Sequence, residues 1–199
     1  MKDLTALELD ALAEIFNISV GRSASVLSEL TGEAVTMSVP MVHILSSERV
    51  VELFAISHER LTCISQQFSG SFSGAAMLMF TESSSLEVVR LMLGSQVPLE
   101  QLSEIEQDAL SEIGNIILNA CFAGIADMLR DSFSCELPEL MTGDIEHILH
   151  SGGSEQKVLF LQIKLGLEQR NLEGYLAFLM GSETESMLQQ SLSNFLSGM

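Results

Sequence analysis

The chain has 199 residues, 47% of them apolar, and a formal net charge of −18 at pH 7. Its length and apolar content suit a folded core and exclude an intrinsically disordered chain. The acidic balance argues against nucleic acid or an anionic membrane surface as a partner, because no Lys/Arg cluster is available to replace phosphate counterions.

Cysteine usage predicts a reducing compartment. Cys63, Cys121 and Cys135 are scattered along the chain, and no C-x-x-C spacing occurs. The residues after Met1 lack the apolar core of a signal peptide, and no uncharged apolar run approaches the roughly 20 residues that span a bilayer. The sequence therefore predicts a soluble cytoplasmic protein with no membrane partner.

The first predicted helix begins at a capping box. The side chains of Thr5 and Glu8 can each satisfy a backbone N–H that the first turn of a helix leaves free. Apolar residues then recur at helical spacing towards Leu30. Three strands and a closing helix are predicted next, at residues 35–39, 61–68, 75–80 and 84–93. Pro40, directly after the first strand, indicates a sheet edge or a β-bulge.

The same order of elements returns in the second half of the chain. Residues 94–101, which include Pro98, form the predicted linker. Ser103 and Glu106 make a second capping box, and the helix that it starts runs towards Leu129. A surface loop, two strands and a closing helix are predicted at residues 151–156, 158–165, 175–180 and 183–196.

An internal repeat relates the two halves. Seven of the 13 positions in residues 5–17 are identical 98 residues later, and Pro40 matches Pro138 at the same offset. Duplicated helix–strand units can join their strands about a pseudo-two-fold axis. We therefore predict a single α+β domain of two pseudo-symmetric helix–strand–helix repeats, residues 1–97 and 98–199. The repeats share one antiparallel sheet, and two long motif-bearing helices lie on the surface.

Each long helix carries a polar stripe within an arc of about 60°. The stripe residues are Asp10, Glu14, Asn17 and Gly21 in the first copy, and Asp108, Glu112, Asn115 and Asn119 in the second. Both stripes lie opposite most apolar positions, so they face solvent or a partner. One Glu-x-x-Asn pair alone indicates only a solvated helix. However, Asn in a helix interior costs about 0.5 kcal/mol against Ala, and the whole pattern D-x3-E-x2-N-x22-P occurs twice.

This repeated pattern resembles the signature of the CheC/FliY/CheX family of bacterial chemotaxis phosphatases, and the duplicated form is similar to CheC-type members over nearly the whole chain. The resemblance implies a hydrolase acting on the aspartyl phosphate of CheY-like response-regulator receivers. It implies that Asn17 and Asn115 orient the attacking water and that Glu14 and Glu112 pair with a receiver lysine. Asp10 and Asp108 would lie at the partner surface.

The chemistry is consistent with so small a site. An aspartyl phosphate is an acyl phosphate with a good leaving group, so positioning and charge neutralisation matter more than covalent help. The resemblance implies that Mg²⁺ arrives on the phosphorylated receiver and that this chain itself binds no metal or cofactor. We expect the second site to contribute more, because Gly114 leaves room beside its Asn. The bulky Phe16 can crowd the first Asn, or can pack inward without effect.

Other functions remain open alternatives. The chain could be a non-catalytic adaptor in chemotaxis signalling that binds receivers or that binds a CheD-like receptor deamidase. A flagellar-switch component similar to FliY is less favoured, because such chains carry an additional C-terminal binding domain. A metal site is the weakest alternative, since no second cluster completes its coordination; its candidate ligands are Asp144, Glu146, His147 and His150.

Overall fold

The computed structural model describes residues 4–54, 60–70, 73–93, 104–130, 132–150, 157–167 and 170–197. These residues form six helices and seven strands, which confirms the predicted α+β class. The helices are α1 (Ala6–Thr31), α2 (Ser47–Phe54), α3 (Glu82–Leu93), α4 (Glu104–Leu129), α5 (Ile145–His150) and α6 (Ser182–Ser197). The strands are β1 (Val35–Ser46), β2 (Leu61–Ser69), β3 (Ser73–Thr81), β4 (Ser134–Cys135), β5 (Glu139–Gly143), β6 (Lys157–Leu167) and β7 (Arg170–Met180).

Both predicted long helices are confirmed. At the start of α1, Glu8 Oε2 accepts a hydrogen bond from the Thr5 backbone N–H at 2.7 Å, and Thr5 Oγ1 accepts one from the Glu8 backbone N–H at 3.3 Å. Gly32 ends α1 in the left-handed conformation (φ 72°) that glycine adopts at little steric cost. α4 ends at Leu129 as predicted, whereas Ser103 of the second capping box lies outside the described residues.

All five predicted strands are confirmed within β1, β2, β3, β6 and β7. The structure adds β4, β5 and the short helix α2, which were not predicted because segments of two to eight residues carry little periodicity. The predicted linker at residues 94–101 and the surface loop at 151–156 lie outside the described residues.

The strands form one antiparallel sheet that interleaves the two halves of the sequence. Its order is β1-β6-β7-β3-β2-β4, and β5 also pairs with β2. Three kinds of contact join the first half to the second: β1 with β6, β3 with β7, and β2 with β4 and β5. The shared sheet is thus confirmed, while the structural equivalence of the two repeats stays a prediction.

The helices cover the two faces of the sheet unequally. Helices α1, α3, α4 and α6 pack over one face and share its larger apolar core, whereas α2 and α5 cover the other face. α1 and α4 run antiparallel: Ser23 Oγ donates to the Ile116 carbonyl at 3.5 Å, and a Cβ on Gly124 would collide with Ser19 Oγ. The two motif-bearing helices therefore lie side by side on one layer.

The start of α1 is anchored to α6. Glu8 is buried, and its Oε1 accepts a hydrogen bond from Ser193 Oγ of α6 at 3.0 Å. A buried carboxylate is stable only when hydrogen-bond partners replace its water. Glu8 thus holds the first turn of the stripe-bearing helix through the cap at Thr5 and through a helix of the second half.

Candidate functional site

The first stripe presents two unpaired acids to solvent. Asp10 and Glu14 are exposed, and neither makes an ion pair with any residue that the structure describes. Asn17, the third member of the stripe, is half-buried instead. The prediction of an exposed stripe therefore holds for the acids and only partly for the carboxamide.

The Asn17 carboxamide is bound to the backbone of β1. Val39 N–H donates to Asn17 Oδ1 at 2.8 Å, and Asn17 Nδ2 donates to the Val39 carbonyl at 3.3 Å. Val39 lies in a β-bulge, where the pairing of β1 with β6 shifts between Ser38 and Met41. Asn17 thus takes the place of the missing ladder partner, which a buried backbone group requires.

This contact supplies a structural reason for the spacing between Asn and Pro in the first motif. Pro40 follows Val39 directly, has no backbone N–H, and is tolerated at a bulge on an edge strand. β1 is at the edge of the sheet, so both alternatives predicted from Pro40 are confirmed. The 22 residues between Asn17 and Pro40 complete α1, form the turn after it and begin β1. This length of chain brings Val39 back beside Asn17.

The second stripe has an open carboxamide. Asp108 and Glu112 are exposed, and neither has an ion-pair partner in the described part of the chain. Asn115 is half-buried, and its Oδ1 accepts a hydrogen bond from Asn119 Nδ2 at 2.7 Å. No other described residue bonds the Asn115 side chain. Its Nδ2 donors and the second lone pair of Oδ1 are therefore available to a ligand.

A different carboxamide supports the matching strand region in the second half. Between β4 and β5, Gln66 Nε2 donates to the Glu136 carbonyl at 2.8 Å, and Glu136 N–H donates to the Gln67 carbonyl at 2.9 Å. Leu137, which is 98 residues after Val39, is 87% exposed. Strand β2 thus provides the hydrogen bonds to the backbone between β4 and β5, and Asn115 is not needed there.

The residues before the two Asn side chains point inward. Phe16 is fully buried, and its ring centroid lies 5.4 Å from that of Phe178, so the interpretation that Phe16 crowds Asn17 is wrong. Gly114 is buried too, and an added Cβ would lie 2.8 Å from Ile64 Cβ of β2. Gly114 therefore allows α4 to approach the sheet, and does not make room at the surface beside Asn115 as predicted.

Among the described residues, the thiols and the acidic groups form no second candidate site. Burial raises the pKa of the Cys63 and Cys121 thiols to about 12, and it also raises the pKa of Cys135, so none is a ready nucleophile at neutral pH. Within the described ranges, no three His, Cys, Asp or Glu side chains are grouped for a metal. Asp144 Oδ1 accepts from the His147 backbone N–H at 2.7 Å and caps α5, and the His150 side chain is outside the described set.

Helix α4 resembles a membrane span in length and composition. The most apolar 18-residue window within Glu106–Met128 has a mean hydropathy of 1.4, but half of that window is buried inside the fold. The polar stripe of Asp108, Glu112 and Asn115 lies on the same helix. These features are those of a core helix packed against a sheet, and a cytoplasmic location stays a prediction.

Two family models match the chain. Chemotaxis phosphatase CheX matches residues 62–162, which include the second motif, and the CheC-like family matches residues 7–44, which include the first. The chain belongs to the CheC/CheX family of chemotaxis phosphatases. This confirms the family that the repeated pattern suggested.

Members of the CheC/CheX family with curated names include two from Bacillus subtilis. The CheY-P phosphatase CheC is 26% identical over 136 residues, which cover 67% of this chain and 65% of CheC. The flagellar motor switch phosphatase FliY is 26% identical over 145 residues, which cover 72% of this chain and 38% of FliY. The chain thus matches less than two thirds of the length of either relative.

Solved structures support the fold of this CheC/CheX family member. Thermotoga maritima FliY covers 98% of the chain with a TM-score of 0.80 at 18% identity, and all of that chain is covered. The FliM middle domain of H. pylori gives a TM-score of 0.68 at 10% identity over 94% of this chain and 99% of its own. A CheX protein of Desulfovibrio desulfuricans gives 0.55 at 17% identity over 85% and 99%.

Proposed function

We propose that this chain hydrolyses the aspartyl phosphate of a CheY-type receiver and that Glu112 and Asn115 carry most of the activity. The supporting observation is the open carboxamide of Asn115, held by Asn119 at one oxygen lone pair and otherwise unoccupied by described residues. The curated relative whose name states this activity, CheC, matches over two thirds of the chain.

The carboxamide suits the hydrolysis of an acyl phosphate. Asn115 Oδ1 would accept a hydrogen bond from water and hold the water oxygen in line with phosphorus, while its Nδ2 would donate to the water or to a phosphoryl oxygen. The new bond joins the water oxygen to phosphorus, and the bond from phosphorus to the Asp carboxylate breaks. A carboxamide does this without titrating and without repelling the phosphoryl group.

The exposed acids suit the receiver rather than the phosphate. Glu112 and Asp108 lie one and two helical turns before Asn115 and have no ion-pair partner among the described residues. A carboxylate there would pair with a lysine beside the phosphoaspartate, which orients the partner and speeds encounter. Mg²⁺ would arrive as part of the phosphorylated receiver substrate.

The first stripe is less suited to turnover. Asn17 keeps one Oδ1 lone pair and one Nδ2 hydrogen, but any rotation of its carboxamide to position a water would break its two hydrogen bonds with Val39, and the buried Val39 N–H would lose its partner. Leaving a buried backbone group unpaired costs about 1–3 kcal/mol. We therefore still expect the second site to contribute more to activity than the first. The reason is the bonding of Asn17 to Val39, and not crowding by Phe16.

The test is the release of phosphate from a phosphorylated CheY-type receiver in the presence of Mg²⁺. Asn115→Ala should lower the acceleration by roughly tenfold or more, since a positioning group is lost. The matched control is Gln107→Ala, which removes an exposed carboxamide from the same helix and should not change the rate. An Asn115→Ala chain with the wild-type rate would contradict the mechanism and favour a receiver- or CheD-binding adaptor.

A further inference from the structure

In the described part of the chain, the Asn115 carboxamide is bonded only by the side chain of Asn119. Asn119 is exposed, and its Nδ2 donates to Asn115 Oδ1 at 2.7 Å. The two residues are four apart on α4, so their side chains project only about 40° apart around the helix axis. The terminal torsion of an Asn side chain is broad when nothing holds it. The bond from Asn119 therefore fixes the direction in which the Asn115 carboxamide points.

The corresponding carboxamide in the first copy is also held at its oxygen. Val39 N–H donates to Asn17 Oδ1 at 2.8 Å. The residue 98 positions before Asn119 is Gly21, which has no side chain to donate a hydrogen bond. A Cβ at Gly21 would have no atom within 4 Å, so packing does not require glycine there. The first copy thus takes the donor for its carboxamide from a strand and not from its own helix.

The second copy lacks that strand donor. The residue that corresponds to Val39 is Leu137, which is 87% exposed, and the backbone between β4 and β5 bonds to β2 instead. Among the described residues, no hydrogen bond joins this segment to Asn115. Asn119 therefore gives Asn115 Oδ1 the hydrogen bond that a strand gives the first carboxamide.

Helix stability does not explain an Asn at position 119. Asn is a less favourable residue than Ala inside a helix, and a side-chain hydrogen bond between exposed residues four apart does little more than offset this difference. The consequence lies in what remains of Asn115: one Oδ1 lone pair and both Nδ2 hydrogens. A carboxamide held in one rotation directs that lone pair one way, so the orientation of a bound water is set before the reaction.

We propose that Asn119 is a positioning residue for hydrolysis at the second site, which holds the Asn115 carboxamide so that the free Oδ1 lone pair faces the attacking water. This proposal rests on the proposed function for the reaction. Asn119 contacts neither the water nor the phosphoryl group, and it acts only through Asn115.

The first experiment measures the order of the Asn115 side chain in the free chain, without a receiver. Nitrogen-15 relaxation of the side-chain NH₂ group gives its order parameter. We expect this value to fall in Asn119→Ala and to be largely restored in Asn119→Gln, whose carboxamide can still donate four residues back. The matched control is Gln107→Ala, which removes another exposed carboxamide of α4 and should change nothing. An unchanged order parameter in Asn119→Ala would overturn the proposal.

The second experiment measures kcat and KM for phosphate release from a phosphorylated CheY-type receiver with Mg²⁺. Asn119→Ala should lower kcat about three- to tenfold, as expected for the loss of one neutral hydrogen bond, and should leave KM unchanged. Asn119→Gln should recover most of kcat. Because Ala is the better helix former, the melting temperature of Asn119→Ala should not fall, which separates this effect from unfolding. A wild-type kcat in Asn119→Ala would contradict the proposal.

A double-mutant cycle shows whether Asn119 acts through Asn115. The variant with both Asn115→Ala and Asn119→Ala should be no slower than Asn115→Ala alone, because no carboxamide remains to be positioned. A further loss of kcat would show a direct contact of Asn119 with the substrate and overturn the proposal. A wild-type chain that does not accelerate phosphate release would contradict the proposed function, and the catalytic role of Asn119 with it. The order parameter distinguishes that failure from the absence of a positioning contact.

Discussion

The two carboxamides of the repeated motif differ in what their atoms are already bonded to. Asn17 makes two hydrogen bonds with the Val39 backbone, whereas Asn115 makes one with Asn119. The same residue type is therefore bonded to a strand in one helix and, among the described residues, only to its own helix in the other. Stability measurements distinguish these roles without any need for a substrate.

Asn17→Ala should destabilise the fold by roughly 1–2 kcal/mol, because a buried backbone N–H and a carbonyl lose their partners and the gain in helix propensity is only about 0.5 kcal/mol. Asn115→Ala should be neutral or slightly stabilising, since Asn115 is not bonded to the backbone of another element. Urea denaturation measures both. Equal and small effects of the two substitutions would show that the Val39 contact contributes nothing to stability.

At the scale of elements, the two long helices are held differently against the sheet. α1 is positioned by the Asn17 contact with β1 and by the bond from Ser193 of α6 to Glu8. α4 is positioned by a close approach to β2, where Gly114 meets Ile64. The distance between α4 and the sheet therefore depends on the absence of a Cβ atom at Gly114.

Gly114→Ala should destabilise the chain by about 1–2 kcal/mol, because the overpacking against Ile64 exceeds the gain in helix propensity. Gly21→Ala is the matched control: a Cβ there has no atom within 4 Å, so it should stabilise α1 by roughly 0.5–1 kcal/mol. Chemical denaturation of both variants is the measurement. A gain of stability at both positions would contradict the close-approach explanation for Gly114.

At the scale of the whole molecule, the halves of the sequence are interlocked through one sheet. β1 has its only described strand partner, β6, in the second half, and β4 and β5 pair only with β2 of the first half among the described strands. Separation would remove the partners of both edges and expose the apolar core between helices and sheet. We therefore predict that the two halves fold as one unit.

Residues 1–98 and 101–199, produced separately, should be unfolded or self-associated, because unpaired strand edges and apolar faces become exposed. Mixing them should restore helical circular dichroism and a cooperative melt. Circular dichroism and sedimentation of the separate and mixed halves make the test. Two stable monomers with sharp independent melts would contradict the shared core.

Local signals account for most of what was predicted correctly. These signals involve residues that are close in sequence, so they can be read directly from it. They are the capping box at Thr5, the apolar spacing of both long helices and the alternation of the five long strands. The short strands β4 and β5 were missed because they exist only through pairing with β2. The family was recognisable because the Asp, Glu and Asn of its motif lie on a single helix face.

The sequence alone determined the two helices, their matching acid and carboxamide stripes, the bulge expected near Pro40 and the family. Only the tertiary structure decided which carboxamide is bonded to the backbone of another element. Val39 lies 22 residues beyond Asn17, and Gln66 is 70 residues before Glu136, so these contacts depend on strand register and bulge position. Helix periodicity repeats in both copies, whereas the partners brought by distant strands do not, and among the described residues those partners distinguish an Asn bonded to a strand from one bonded only to its own helix.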